Sequence, residues 1–285
     1  MKTVAAIIAL IIFSTVFGCS QSETNYSFNS VSAWEHLKQM ENQVDKCSYI
    51  ENQLRQYGLE VNKDTFVAST PLGNRQMNNI CAIIPGKNRE KFIILGTHYD
   101  IKELNPPMTG VNDGLSGTSV LLVIAENLKN PPYDVRLLFF DGEECLVEYN
   151  ESDGLFGSRY YAGKIFESGE NKNCVSMINI DMVGDKDLKY TLSADTDLKL
   201  YGKLQKAAGK EGFSQIITFL NGTILDDHVP FKNIGIPSIN IIDFNYGPAN
   251  CFWHTQHDNS ENVSRESLDT TGKIVTRLIM EFDEL

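Results

Sequence analysis

The stretch VRLLFFDGEE, residues 135–144, joins an almost continuous apolar run directly to an acidic pair, Glu143-Glu144. A short apolar run without alternation is typical of a strand that is buried on both faces of a sheet. Similar runs recur at residues 80–84, 92–95, 175–180 and 236–242. The sequence therefore predicts a buried sheet, with the acidic pair placed where one of its strands ends.

Helical patterns lie beside and between these predicted strands. The apolar spacing fits helices over residues 33–57, 114–128, 157–166, 197–208 and 266–282, and Gly58 is a plausible end for the first. Strands that alternate with helices indicate an α/β fold with helices on both faces of the sheet. We predict a single-domain three-layer αβα sandwich with a mixed, largely parallel central sheet.

Acidic and histidine side chains collect near the ends of the predicted strands. They are His98, Asp113, the pair Glu143-Glu144, Asp181 and His254. In open α/β sheets, functional groups gather at the carboxyl ends of the strands. So many carboxylates would repel one another without a bound cation, and a mixture of imidazole nitrogen and carboxylate oxygen suits Zn²⁺. We therefore predict a zinc site at this edge of the sheet.

The N-terminus has the features of an export signal. Lys2 is followed by an apolar run over residues 4–17, and Val16-Phe17-Gly18-Cys19 resembles the lipobox of bacterial lipoproteins, whose cysteine is acylated. We expect a signal peptide over residues 1–18, a polar tether over 19–30 that starts at lipidated Cys19, and a catalytic domain over 31–285. An ordinary secretory signal is the alternative. Both interpretations predict export. The lipoprotein interpretation also predicts a membrane anchor, with the protein facing the periplasm or the cell surface.

Charge and cysteine content limit the possible partners. The formal net charge is −12, and loss of Lys2 with the signal peptide would make it −13. Because the sequence has no Lys/Arg cluster that could neutralise phosphates, we predict no nucleic-acid partner and no membrane contact beyond the lipid anchor. Besides Cys19 there are five scattered cysteines, an odd number that allows at most two disulfide bridges.

Six short motifs appear in an order that resembles the zinc aminopeptidase and glutaminyl cyclase superfamily. They are GTHYD (96–100), NDGLSG (112–117), FFDGEE (139–144), GSRYYA (157–162), NIDMVG (179–184) and WHTQHDN (253–259). The resemblance implies that Asp113, Glu144 and His254 hold a catalytic zinc and that Glu143 is the acid/base. In two-zinc aminopeptidases, the residues matching His98 and Asp181 hold a second metal, which the one matching Asp113 bridges to the first. In a cyclase one zinc is expected, and His98 and Asp181 would belong to a proton network instead.

Other residues favour the cyclase branch of this superfamily. Nine residues, 145–153, separate Glu144 from Gly154, whereas the aminopeptidases usually have one or two. The longer loop resembles that of animal-type glutaminyl cyclases, which carry an aromatic residue over the entrance at the place of Tyr149. The string DDHVPF (226–231) and Trp253, directly before His254, are also similar to the cyclases. Asn240 stands where the cyclases have a histidine, so a proton relay through this position must be altered.

The resemblance implies a glutaminyl-peptide cyclotransferase, which converts the N-terminal glutamine of peptides or proteins to pyroglutamate and releases ammonia. Asp181 and Asp226 would keep the proton network around Glu143 in order, while Tyr149 and Trp253 would line the substrate pocket. Asp226 could also cap the helix that follows it. Two other functions stay open: a two-zinc aminopeptidase with the same fold, and a non-catalytic lipoprotein that binds peptides.

Overall fold

The computed structural model of the protein describes residues 28–150 and 152–284, without the side chains of residues 283 and 284. The predicted signal peptide, Cys19 and most of the predicted tether lie outside these residues, so the lipid anchor stays a prediction. Within the described ranges, no helix combines the length and apolar character needed to cross a membrane.

A six-stranded mixed sheet forms the centre of the fold. Its strands lie in the order β1-β2-β4-β3-β5-β8, and β6 and β7 form a separate parallel pair. The bounds are β1 Val61–Thr70, β2 Gly73–Ile84, β3 Asn88–His98, β4 Tyr133–Phe140, β5 Cys174–Asp181, β6 Tyr190–Leu192, β7 Ile217–Phe219 and β8 Ser238–Ile242. The strands β4, β3, β5 and β8 are parallel, whereas β1 and β2 are antiparallel to their neighbours. The predicted mixed sheet is therefore confirmed.

Helices cover both faces of the sheet, as predicted. On one face are α1 Ser30–Glu41, α2 Lys46–Gln56, α3 Leu115–Asn127, α5 Leu198–Lys210 and α7 Arg265–Met280; on the other are α4 Phe156–Glu167 and α6 His228–Asn233. Leu95 and Ile180 point into the core under the first layer, while Ile94 and Phe140 point into the core under the second. The alternation of strand side chains thus fills two cores, one on each face.

The predicted single helix over residues 33–57 is wrong, because two helices occupy this range. Asn42 ends α1, and the Asp45 side chain caps α2 by accepting a hydrogen bond from the Ser48 N–H at 2.9 Å. Val44, which continued the apolar spacing, lies fully exposed in the connection. The apolar spacing continued by chance across a short polar turn that contains a good N-cap residue.

The folded unit begins earlier than the predicted boundary at Val31. Phe28 is buried against α7, where a Cβ at Gly272 would lie 2.3 Å from its ring, and Asn29 caps α1. Residues 28–30 therefore belong to the domain rather than to the tether. All five cysteines in the described ranges are free thiols.

Candidate active site

The predicted site residues come together at the carboxyl edge of the parallel strands. His98 ends β3, Asp181 ends β5, and Glu143 and Glu144 follow β4 after a short turn. Asp113 precedes Gly114 at the start of α3. Gly114 has a φ of 98°, and a Cβ there would lie 2.9 Å from the Asp100 carbonyl oxygen, so this turn requires glycine.

Five of these side chains form two overlapping triads around Asp113. In the first, His254 Nε2 lies 3.4 Å from Asp113 Oδ2 and 3.2 Å from Glu144 Oε1. In the second, His98 Nε2 lies 3.2 Å from Asp113 Oδ1 and 3.1 Å from Asp181 Oδ1. Within each triad, the potential ligand atoms all lie within 4.8 Å of one another.

The donor set fits a zinc ion. The first triad offers one imidazole nitrogen and two carboxylates, which is a ligand combination that catalytic zinc sites use. Asp113 Oδ2 is buried and accepts no hydrogen bond. Its contact with His254 Nε2, at 3.4 Å, is longer than a charge-assisted hydrogen bond, so a cation at this point would satisfy the buried oxygen better.

Each of the two histidines faces carboxylates that favour its protonated form. Burial lowers the pKa of His254, but Asp113 and Glu144 outweigh it and raise this pKa to about 9. Burial opposes a charge on His98 as well, yet Asp181 and the neighbouring aspartates raise its pKa well above the usual value. The cluster therefore attracts positive charge, as a metal site must.

Glu143 lies beside the first triad and faces a different environment from Glu144. Burial, reinforced by the charges of Glu144 and Asp226, raises the pKa of Glu143 well above its usual range. The Tyr149 hydroxyl lies 2.9 Å from both Glu143 Oε2 and Glu144 Oε2, so it donates to one of them at a time. Burial also raises the pKa of Asp181, to about 7.

Two carboxylates that the sequence analysis gave no role fix the backbone of the site. Asp100 accepts hydrogen bonds from the N–H groups of Glu143 and Glu144, each at 3.1 Å. Asp258 accepts from the N–H groups of Asn112 and Asp113, at 2.7 and 3.1 Å. Asp100 lies in the motif GTHYD and Asp258 lies in WHTQHDN. Their place in these motifs was the signal available in the sequence.

The 145–153 loop folds around a third such carboxylate, that of Asp153. Its two oxygens accept hydrogen bonds from the N–H groups of Leu146, Val147 and Glu148, at 2.7–3.0 Å. Lys102 donates to the Cys145 carbonyl oxygen, and its ammonium group lies 5.2 Å from the centre of the Tyr149 ring. These contacts place Tyr149 over the acidic pair.

Asp226 is positioned by two amide side chains. Asn179 Nδ2 donates to Asp226 Oδ1 at 2.9 Å, and Asn240 Nδ2 donates to Asp226 Oδ2 at 2.7 Å. An amide is not an acid at neutral pH, so Asn240 orients Asp226 and cannot pass on a proton. The N-cap residue of α6 is Asp227, so Asp226 does not have the predicted capping role.

A cavity of about 200 Å³ opens at the cluster. Its acidic lining is Asp113, Glu143, Asp181 and Asp226, and its other walls include Tyr149, Phe244 and Trp253. The Trp253 ring stacks on His254 with a centroid distance of 4.0 Å and packs against Phe244 at 5.2 Å. All residues predicted for catalysis or substrate binding therefore face one cavity.

Comparison with known proteins agrees with this geometry. A model of peptidase family M28 matches residues 79–279, which include every residue of the two triads. The chain belongs to peptidase family M28. The family resemblance that the ordered motifs predicted is thus confirmed.

Both branches of the M28 family occur among the similar sequences. A glutaminyl-peptide cyclotransferase of Boiga dendrophila is 26% identical over 266 residues, which span 80% of this chain and 71% of that protein. Aminopeptidase YwaD of Bacillus subtilis is 33% identical over 220 residues, which span 73% of this chain but 45% of that enzyme.

Solved structures show the same two branches. The crystal structure of a glutaminyl cyclase from an Acidobacteriales bacterium is 28% identical, with a TM-score of 0.84, and the match covers 92% of this chain and 97% of that one. A Zn-dependent exopeptidase from Parabacteroides distasonis is 25% identical, with a TM-score of 0.78 and coverage of 89% and 98%.

Proposed function

We propose that the protein is a zinc-dependent glutaminyl-peptide cyclotransferase, which closes the N-terminal glutamine of a peptide to pyroglutamate and releases ammonia. The placement of Tyr149 carries this proposal. The Tyr149 hydroxyl contacts Glu143 and Glu144, and the Tyr149 and Trp253 rings both line the cavity. Aromatic walls around a small cavity suit a single N-terminal side chain that folds back on its own amine.

In this proposal Glu143 moves the proton. Its carboxylate accepts a proton from the substrate α-amine as the amine nitrogen attacks the side-chain amide carbon. The new C–N bond closes the lactam ring, the old C–N bond breaks, and Glu143 returns the proton to the nitrogen that leaves as ammonia. The raised pKa of Glu143 suits a group that must hold the proton between these two steps.

Asp113, Glu144 and His254 are the residues that would hold the zinc. When bound there, zinc supplies Lewis-acid polarisation of the substrate amide carbonyl. Asp181 and Asp226 face the same cavity, and the charges of Asp226 and Glu144 add to burial in raising the pKa of Glu143. The aromatic side chains exclude bulk water, which suits a reaction that consumes none.

The direct test is ammonia release by the zinc-loaded protein from peptides that begin with glutamine. We expect release from a Gln-peptide and none from the same peptide beginning with asparagine, whose shorter side chain would form a strained ring. Glu60→Gln, which changes an exposed residue directly before β1, is the control variant and should release ammonia at the wild-type rate. Zinc-loaded protein that released no ammonia would contradict the proposal.

A two-zinc aminopeptidase is the second candidate, and the second triad favours it. His98, Asp113 and Asp181 converge as closely as the first triad does. This function predicts two zinc ions per chain and free amino acids from Leu-peptides, whereas cyclisation needs one zinc. Metal analysis of purified protein, together with amino-acid release, separates the two. If zinc-loaded protein turned over neither substrate, the non-catalytic peptide-binding function would replace both.

A further inference from the structure

A second concave surface lies next to the active-site cavity. It is a groove of about 700 Å³ between α4 and α6. Its walls are mainly apolar and include Leu155, Ala162, Val229, Pro230 and Ile234. Neither the triads nor the residues around Glu143 use it. We call it the α4–α6 groove.

The α4–α6 groove is continuous with the active-site cavity. Leu225 lines both spaces and is 43% exposed. Tyr149 likewise lines the cavity, while the next residue, Asn150, lines the groove. A chain that leaves the cavity between Tyr149 and Leu225 therefore enters the groove directly.

We propose that the α4–α6 groove binds the peptide residues that follow the N-terminal glutamine. This inference rests on the proposed function, and it specifies the substrate class as peptides with apolar residues after the glutamine. An extended chain rises about 3.3 Å per residue, so the groove receives side chains downstream of the reacting one. Apolar side chains gain from leaving water along these mainly apolar walls.

The groove can be filled without touching the catalytic residues. Gly163 lies in α4 and lines the groove, and a Cβ added to it would meet no atom within 4 Å. Gly202 in α5, on the other face of the sheet, is equally open. Both positions are helical, so replacement of glycine by tryptophan does not disfavour the helix at either one. Gly163→Trp and Gly202→Trp are therefore a matched test and control.

The first measurement compares kcat/KM for Gln-Leu-Leu-Leu amide with kcat/KM for glutaminamide. For Gly163→Trp we expect the ratio of these two values to fall about tenfold, which corresponds to ~1.4 kcal/mol of lost apolar contact. Gly202→Trp should keep the wild-type ratio. A ratio that Gly163→Trp leaves unchanged would overturn the proposal.

A second measurement keeps the groove testable if the proposed cyclisation fails. Calorimetry on the zinc-loaded Glu143→Gln variant gives the affinity for Gln-Leu-Leu-Leu amide without turnover. We expect Gly163→Trp, added to this variant, to weaken binding about tenfold and Gly202→Trp to leave it unchanged. Equal affinities in all three proteins, or no binding of the peptide, would refute the proposal that the α4–α6 groove binds peptide. Failure of ammonia release alone would refute cyclisation instead.

Discussion

Glu143 and Glu144 are neighbours of the same residue type, and their surroundings give them different chemistry. Glu144 Oε1 lies against His254 Nε2 in the first triad, whereas Glu143 lines the cavity where a substrate would react. Both pKa values are raised by burial. A cation at the triad would keep Glu144 ionised, while Glu143 stays free to gain and lose a proton.

Replacing each glutamate by glutamine should separate these roles. We expect Glu143→Gln to retain zinc but to lose about 10²–10⁴-fold in kcat, the usual contribution of a general acid–base group. Glu144→Gln should lose zinc, because an amide oxygen is a weaker ligand than a carboxylate. Metal analysis and steady-state ammonia release check both. Zinc loss in Glu143→Gln with full zinc retention in Glu144→Gln would reverse the assignment.

The sequence predicted the charged side chains of the site better than the residues that orient them. His98, Asp113 and Asp181 could be placed because each adjoins a predicted strand end or helix start. Asp100, Asp153 and Asp258 bond to backbone N–H groups in irregular segments, whose conformations leave no periodic pattern in a sequence. The amide partners of Asp226 were also missed, apart from the replacement at Asn240.

At the scale of elements, the 145–153 loop depends on Asp153. This side chain is fully buried and satisfies three backbone N–H groups. Asp153→Ala should leave those donors unpaired, which costs about 1–3 kcal/mol, and should release Tyr149 from its place. We expect KM for a Gln-peptide to rise and the melting temperature to fall.

Ser152→Ala is the control for this loop, since Ser152 is exposed and its hydroxyl donates to the neighbouring Asn150 side chain. It should behave as the wild type in both kinetics and thermal unfolding. An unchanged KM in Asp153→Ala would show that the loop does not hold Tyr149 over the site.

The contact between α1 and α2 should make stability depend on pH. His36 is buried between the Tyr49 and Tyr57 hydroxyls, and burial lowers its pKa from 6.5 to about 4. The folded protein therefore binds fewer protons than the unfolded chain between these values. The neutral His36 ring therefore contributes to the free energy of unfolding. This contribution is complete above about pH 6.5 and is lost as the pH falls toward 4.

His36→Gln should remove this dependence, because glutamine does not titrate. From about pH 7 to pH 4.5, we expect the wild type to lose about 2 kcal/mol more of its unfolding free energy than the variant does. Urea denaturation at several pH values measures the difference. Parallel pH profiles for the two proteins would contradict the buried, neutral state of His36.

Most elements were predictable, and the misses have physical causes. The buried parallel strands stand out as apolar runs, but β1 alternates between buried and exposed residues at the edge of the sheet and contains no such run. The break between α1 and α2 was hidden because Val44 keeps the helical spacing while it faces solvent. The short helix α6 is too brief for a periodic signal.

At the scale of the whole molecule, a metal would tie together separate parts of the chain. The first triad joins the start of α3, the turn after β4 and the loop after β8. We therefore expect chelation to lower the melting temperature, since a ligand at a thousandfold excess over its Kd stabilises the folded state by about 4 kcal/mol. Glu144→Gln should show no chelator effect. A wild-type melting temperature that chelation leaves unchanged would argue against a bound metal.

The central claim is that this site closes a ring rather than cutting a peptide bond. The most direct measurement is the mass spectrum of one Gln-peptide after incubation with zinc-loaded protein. Cyclisation predicts a product that keeps every residue and has lost one ammonia, at a rate that Glu143→Gln abolishes. A product that has lost its N-terminal residue instead would contradict the account and assign the site to an aminopeptidase.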